Sequence, residues 1–271
     1  MNIKYIAKDH TFAICAYGES PYLEECIRSV ISQSTRTNAL IATSTPNTFI
    51  SDLAEKYAIP LFVNENAIGK SNIANDWNYA YHCARTELVT ITHQDDIYLR
   101  DYAGKVLEGF NKAHHPLIAF TDYSELRDGI EVTDNRLLNV KRIMLLPLRL
   151  HFLWKSVFVR RRILALGSAI CCPSVTFARK RLPAKLFVPG YRSDLDWQAW
   201  EAISRYEGSF VYCPEILMSH RIHEDSATTA IIADNDRTRE DFEMYCKFWP
   251  VWIAKILEHY YRNSEKQNEL K

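Results

Sequence analysis

The sequence lacks a glycine-rich phosphate cradle. No turn after its early apolar runs has the glycine spacing of a dinucleotide-binding or Walker loop, which argues against dehydrogenases and P-loop enzymes. It also lacks an excess of either charge. Lys+Arg and Asp+Glu both number 33, so no nucleic-acid partner is implied and any basic function must be local. The seven cysteines contain no CxxC pair and are odd in number, which fits neither a disulfide framework nor a zinc ribbon. Most are expected to be small core residues in a reducing cytosol. The start, Met1-Asn2-Ile3-Lys4-Tyr5, has no apolar stretch of the signal-peptide kind. A long unbroken apolar run is missing too. Ile143 to Ile170 is interrupted by Arg149, His151, Lys155 and Arg160-Arg161-Arg162, cations that a lipid interior strongly disfavours. The expectation is a cytoplasmic protein, not integral to a membrane. With no internal repeat or low-complexity linker, the 271 residues read as one continuous domain.

What is present is an alternation. Apolar runs at Thr11–Cys15, Ala39–Ala42 and Pro60–Val63 are each followed by turn-formers and a helix-like segment. Ser20 and Pro21 read as N-cap and first residue of the first helix, whose buried face is Leu23, Ile27, Val30 and Ile31. Thr48–Tyr57 and Ser71–Cys83 read as further helices, Leu88–Thr92 as a fourth strand, Tyr98–Ala113 as a helix and Leu117–Thr121 as a fifth strand. This order predicts an α/β fold with a mostly parallel central sheet and helices on both faces. Ligands then belong beyond the carboxyl ends of the strands, near Ala16–Glu19, Thr43–Asn47, Asn64–Asn72 and His93–Asp96. The second half is more mixed: a polar hairpin around Asp128-Gly129, a helix over Ser193–Arg205 and strands at Phe210–Cys213 and Ile216–Ile222. Helices over Asp234–Arg262, broken near Pro250, close the chain.

Chemistry gathers at a few places. His93-Gln94-Asp95-Asp96 sets two adjacent carboxylates after a buried strand, where they can hold Mg2+ or Mn2+ or cap the helix expected near Tyr98. Ser193-Asp194-Leu195-Asp196 reads by itself as an acidic pair favoured at a helix N-terminus.

The stretch Phe12-Ala13-Ile14-Cys15-Ala16-Tyr17-Gly18-Glu19-Ser20-Pro21-Tyr22-Leu23 resembles the first strand and helix start of family 2 glycosyltransferases. Val89–Tyr98 resembles that family's fourth strand with its Asp-X-Asp type signature. Ser193–Trp197 with Trp200 is similar to its Glu-Asp helix start, and Met218–Ser226 to its Tyr-Arg-X-His-X-X-Ser element. The resemblance implies a GT-A-like fold and transfer with inversion from a nucleoside-diphosphate sugar. It places Ala16, Tyr17, Glu19 and Thr43 around the nucleoside, Asp95 near the ribose or the metal, and Arg221 facing the diphosphate. Asp96 and His223 would hold Mn2+ or Mg2+, and Asp194, with Asp196 second, would be the base. Asn72 and Asp76 would bond the donor, while Lys70 reads either as a diphosphate contact or as plain loop. Three positions depart from the family pattern. Thr43-Ser44 stands where an acidic pair is usual, His93 where an acid often begins the signature, and Ser193 where Glu precedes the base.

The implied organisation is a transferase domain over 1–233, with a donor half (1–121) and an acceptor half (122–233), followed by a helical extension (234–271). The acceptor would be a glycan or lipid-linked hydroxyl, in bacterial surface polysaccharide assembly. Residues 141–162 mix seven Lys/Arg with apolar and aromatic side chains. They read either as peripheral contact with an anionic membrane or as a buried helix pair whose cations find carboxylates. Trp249, Trp252, Tyr260 and Tyr261 read as core or as a homodimer surface. A sugar nucleotidyltransferase and a non-catalytic nucleotide-binding subunit are the rival readings. The first would be expected to carry a basic, glycine-rich first loop in place of Ala16-Tyr17-Gly18-Glu19.

Overall fold

Strand β1 (His10–Ala16) is buried at every position except the half-buried Cys15, as expected of a strand flanked by strands and covered on both faces. The computed structural model describes residues 4–70, 72–223 and 236–259; Ser71, Glu224 to Ser226, Tyr260 and Tyr261 lie outside them. β1 pairs in parallel with β2 (Asn38–Thr43) and β4 (Leu88–His93), and β2 with β3 (Leu61–Val63). Helices α1 (Leu23–Ile31), α2 (Thr48–Lys56) and α3 (Ile73–Cys83) make the crossovers.

The sheet order is β3, β2, β1, β4, β8 (Val175–Ala178), β6 (Pro116–Arg127), β9 (Ser209–Ile222) and β5 (Ile97–Tyr98), with β7 (Ile130–Val132) on β6. β6 (Pro116–Arg127) runs parallel to β9 (Ser209–Ile222). Between β4 and β6 sits β8 (Val175–Ala178), antiparallel to both and not foreseen from the sequence. The fold is α/β with a mostly parallel sheet flanked by helices. The Asp128-Gly129 hairpin forms as expected. β6 returns as β7 (Ile130–Val132), and both turn residues take the positive φ, +48° and +79°, that a tight hairpin turn demands.

Several boundaries differ from expectation. The helix expected from Tyr98 begins instead as α4 (Tyr102–Lys112), because Ile97–Tyr98 form β5 against Ser219 and Met218 of β9. The Tyr98 hydroxyl is anchored on the Pro173 carbonyl at 2.7 Å. α1 starts at Leu23, two residues after Pro21. The two strands expected near 210 and 216 are one continuous β9, irregular opposite Thr121–Tyr123.

The second half adds α5 (Arg136–Leu145), α6 (Val157–Leu164), α7 (Leu195–Ile203) and α8 (Asp236–Cys246), with a last helix over 251–259 beyond Pro250. These C-terminal helices pack on the main body. Tyr245 meets Trp197 edge-on at 5.1 Å, and Trp249 Nε1 donates to the Ala165 carbonyl at 2.7 Å.

The basic segment divides. Arg160 is buried and its guanidinium donates to the carbonyls of Ser204, Tyr206 and Gly208, closing the exit of α7. Lys141 bonds Tyr123, Arg142 bonds Asp122 and Arg161 bonds Glu201, while Arg149, Lys155 and Arg162 stay exposed. No helix among the described residues is long and apolar enough to cross a membrane.

His10 is fully buried between Thr37 and Thr90, at 3.0 and 2.8 Å, and burial lowers its pKa to about 3. The unfolded chain takes up this proton near the ordinary value of 6.5, so between these values it binds more protons than the native state. Stability should therefore fall as pH drops from 6.5 towards 3. His10→Gln should flatten that slope in urea melts followed across pH, and an unchanged slope would count against this account.

Candidate active site

The carboxyl ends of β1 and β4 lie side by side, with Cys15 opposite His93. This register lets Gln94 clamp the turn after β1: its Oε1 accepts from Tyr17 N at 2.8 Å and its Nε2 donates to Tyr17 O at 3.0 Å. Gly18 adopts φ +59° and donates to Thr45 Oγ1 at 2.8 Å, while Asn47 Nδ2 donates to the Gly18 carbonyl. With the backbone held on both sides, Ala16 is buried, the Tyr17 ring is 59% exposed and Glu19 is exposed. Thr43 ends β2 beside this turn. It is buried, and its hydroxyl accepts from Thr45 N at 3.0 Å. Sequence reasoning singled out Thr43 and passed over Gln94, Thr45 and Asn47. The usable signal was a turn glycine flanked by short polar side chains.

Behind this turn, Asp96 is fully buried. Its Oδ1 accepts from Arg221 N and from His220 Nδ1, both at 2.9 Å, which fastens the end of β4 to the end of β9. Asp96 therefore does not cap a helix. Asp95 next to it is half-exposed, and its Oδ2 lies 3.1 Å from His223 Nε2. Arg221 donates through Nε to the Asp95 carbonyl at 2.8 Å and through Nη2 to Glu25, with its guanidinium 4.3 Å over the Tyr22 ring. His93 stacks on Trp77 at 4.6 Å. Burial lowers the His93 pKa to about 4, against the pull of Asp95. At His220 burial also acts downward, but the charge and hydrogen bond of Asp96 win and its pKa is raised.

His93, Asp95 and Asp96 offer ligand atoms within 4.8 Å of one another. Asp96 Oδ2 and His93 Nε2 are buried with no hydrogen-bond partner among the described residues. One imidazole and two carboxylates with spare valence suit a divalent cation of the Mn2+ or Mg2+ kind.

On the other side, α7 begins at a carboxylate. Glu240 of α8 is 1% exposed and accepts from the backbone N–H groups of Arg192, Ser193 and Asp194 and from the Ser193 hydroxyl, at 2.8 to 3.1 Å. The departure at Ser193 thus has a structural counterpart: the acid at this helix start arrives from α8. Asp194 is buried, and its backbone N–H is one of the donors that Glu240 holds. Asp196 is half-buried and accepts from Ser168 at 3.4 Å. Burial first, and then the charge of Asp196 with a further push from Asp96, holds the Cys172 thiol well above its ordinary pKa. Asp196 and Asp96 thus act on one common neighbour.

The glycosyl transferase family 2 model matches residues 11–180, more than half of the chain. The chain belongs to this family. No curated protein sequence matches it. Among solved structures it is similar to S. aureus TarS 1-349 in complex with UDP-GlcNAc (TM-score 0.60, 11% identity, 92% of this chain and 70% of that one). It is also similar to the mannosyltransferase PcManGT from Pyrobaculum calidifontis with GDP-Man and Mn2+ (0.59, 15%, 94% and 70%). A third is glucosyl-3-phosphoglycerate synthase from Mycobacterium tuberculosis with phosphoglyceric acid (0.52, 12%, 83% and 78%). At these identities the likeness is one of fold.

Against this glycosyltransferase fold, the expected residues fall into three groups. Asp95, Asp96, Arg221 and His223 converge at the junction of β4 and β9, although His223 faces Asp95 rather than Asp96. Ala16, Tyr17 and Glu19 line the neighbouring turn. Asp76, in the first turn of α3, reaches this end of β1 through its charge on the Cys15 thiol, which burial chiefly raises. Asn72 caps α3, accepting from Asn75 N at 3.4 Å, and Lys70 is exposed on the preceding loop. Removing the Glu240 carboxylate strands buried donors at the start of α7. Glu240→Ala should cost about 3 kcal/mol, seen as a lower thermal midpoint, and Glu240→Gln should cost less; equal melting of all three proteins would be inconsistent with this lock.

Proposed function

We propose that the chain is an inverting, metal-dependent glycosyltransferase that moves a sugar from a nucleoside-diphosphate donor to a glycan or lipid-linked hydroxyl, in bacterial surface polysaccharide synthesis. The observation that carries this reading is the apposition of Asp95 and His223 beside the buried Asp96, at the mouth of a turn whose backbone is already held. The bound donors of the neighbours, UDP-GlcNAc in TarS and GDP-Man with Mn2+ in PcManGT, support a nucleotide-sugar donor and a divalent cation.

In this reading Asp95 and His223 reach the cation, with Asp96 and His93 behind them. Bound there, a divalent cation supplies charge neutralisation to a leaving diphosphate. Residues 1–121 serve the donor: the Gln94 clamp holds the Tyr17 backbone so that Ala16, Tyr17 and Glu19 border the nucleoside, with Asp76 below them. Arg221 is fixed by Glu25 and Tyr22 at the rim, where its positive charge serves the diphosphate. Residues 122–233 serve the acceptor, and the helices beyond brace them through Glu240. Inversion needs a carboxylate that takes the acceptor proton on the face opposite the leaving group. The family likeness points to Asp194. Asp196, half-buried in the first turn of α7, is the second candidate.

Calorimetric titration of UDP and GDP with Mn2+, with Mg2+ and with EDTA tests the donor site. Binding is expected only with a cation, and Asp95→Asn and His223→Ala should each weaken it at least tenfold. Equal binding in EDTA would overturn the metal reading. For the base, Asp194→Asn should lower kcat by about 10²–10⁴-fold with the nucleotide Kd unchanged. A larger loss in Asp196→Asn would move the role to Asp196.

A further inference from the structure

The outer face of the α5–α6 region combines two properties that seldom meet on a free surface. Large apolar side chains stand in solvent there: Ile143, Phe152 and Phe158 among them, the last 73% exposed. The stretch that carries them has charges of one sign, because no Asp or Glu occurs between Asp134 and Asp194. Inward-turned cations of this region are paired or capping, which leaves Arg149, Lys155 and Arg162 to the surface.

A second segment, remote in sequence, continues the same face. The Arg162 guanidinium lies 5.8 Å from the Phe158 ring and 4.8 Å from the Trp249 ring, so it bridges α6 to the C-terminal helices. From Trp249, spacings of three and seven lead along one helical side to Trp252, 66% exposed, and to the exposed Ile256. Between Cys246 and Leu257 there is again no acid, and Lys255 is exposed.

We infer that this two-part face, α5–α6 with the 251–259 helix, docks on an anionic lipid surface. Aromatic and aliphatic side chains enter the headgroup boundary while Arg149, Lys155, Arg162 and Lys255 meet acidic headgroups. A second copy of the chain fits poorly, since a two-fold contact would set these cations against their own equivalents, and the stretches 135–193 and 247–257 that carry them hold no acid to meet them. Arg142–Asp122 and Arg161–Glu201 tie the face rigidly to β6 and α7. A docked molecule would therefore hold its proposed acceptor half at the membrane. The inference extends the lipid-linked acceptor reading and is independent of the donor site.

The test is flotation of the full chain with phosphatidylcholine vesicles, with and without phosphatidylglycerol. Binding to the anionic vesicles should exceed that to neutral ones at least tenfold and weaken as salt rises. The double variant Phe158→Ser/Trp252→Ser should lose at least tenfold in partitioning while keeping the wild-type melting curve. Absence of flotation on anionic vesicles would overturn the inference. So would a wild-type dimer, seen in sedimentation, that the double variant dissolves, because the face would then belong to a second copy. Nucleotide titration on the same preparations separates the two readings. Lost lipid binding with retained UDP or GDP binding sinks only the membrane face, and the reverse sinks only the donor site.

Discussion

Everything at the proposed reaction centre depends on one buried carboxylate. Asp96 has no solvent contact, so its charge must be met inside the protein, and the groups that meet it come from a strand more than a hundred residues later. By accepting from the Arg221 backbone and from His220, it fixes where β9 ends relative to β4. His223, two residues on, is thereby delivered to Asp95. The site is assembled from the two halves of the sheet, and a single acid at the seam sets their relation.

The same logic recurs at the start of α7. A helix N-terminus leaves backbone N–H groups without partners, and Glu240 supplies an acceptor from outside the family-matched region. The C-terminal helix that carries Glu240 is therefore a structural member of the proposed acceptor side. Satisfying these donors with a rigid buried side chain in place of water also fixes the direction in which Asp194 and Asp196 leave the helix start.

The sheet was readable because buried parallel strands are written as plain apolar runs between turn-formers, and β1, β2 and β4 follow that rule. β8 was missed for the converse reason: Val175–Ala178 is four residues long, and nothing local distinguishes it from a loop crossing the core. Tyr98 was placed in a helix because its periodicity permits one, whereas a distant strand claims it through pairing with Met218. Among site residues, those carried by sequence motifs, Asp95, Asp96, Arg221 and His223, do come together. Gln94 and Glu240 were invisible, since their function lies in bonds to backbone atoms of segments dozens of residues away, and such partners leave no pattern in a neighbouring stretch. Thr43 lies at the expected strand end, where its hydroxyl also accepts from Thr45 N of its own loop.

One irregularity carries a consequence for how such a chain can vary. Opposite the single step from Thr121 to Asp122, β9 advances from Cys213 to Ile216, and opposite the next step it advances again from Ile216 to Met218. Side chains on a strand alternate between faces, so the number of residues taken up in this bulge decides which face His220 and Arg221 present. Losing one residue there would leave every motif legible and every core residue apolar. It would also exchange the inward and outward positions along the rest of the strand, turning the site inside out. The bulge is in effect a parity setting: the length of β9 between Cys213 and Met218 decides which face its later residues present.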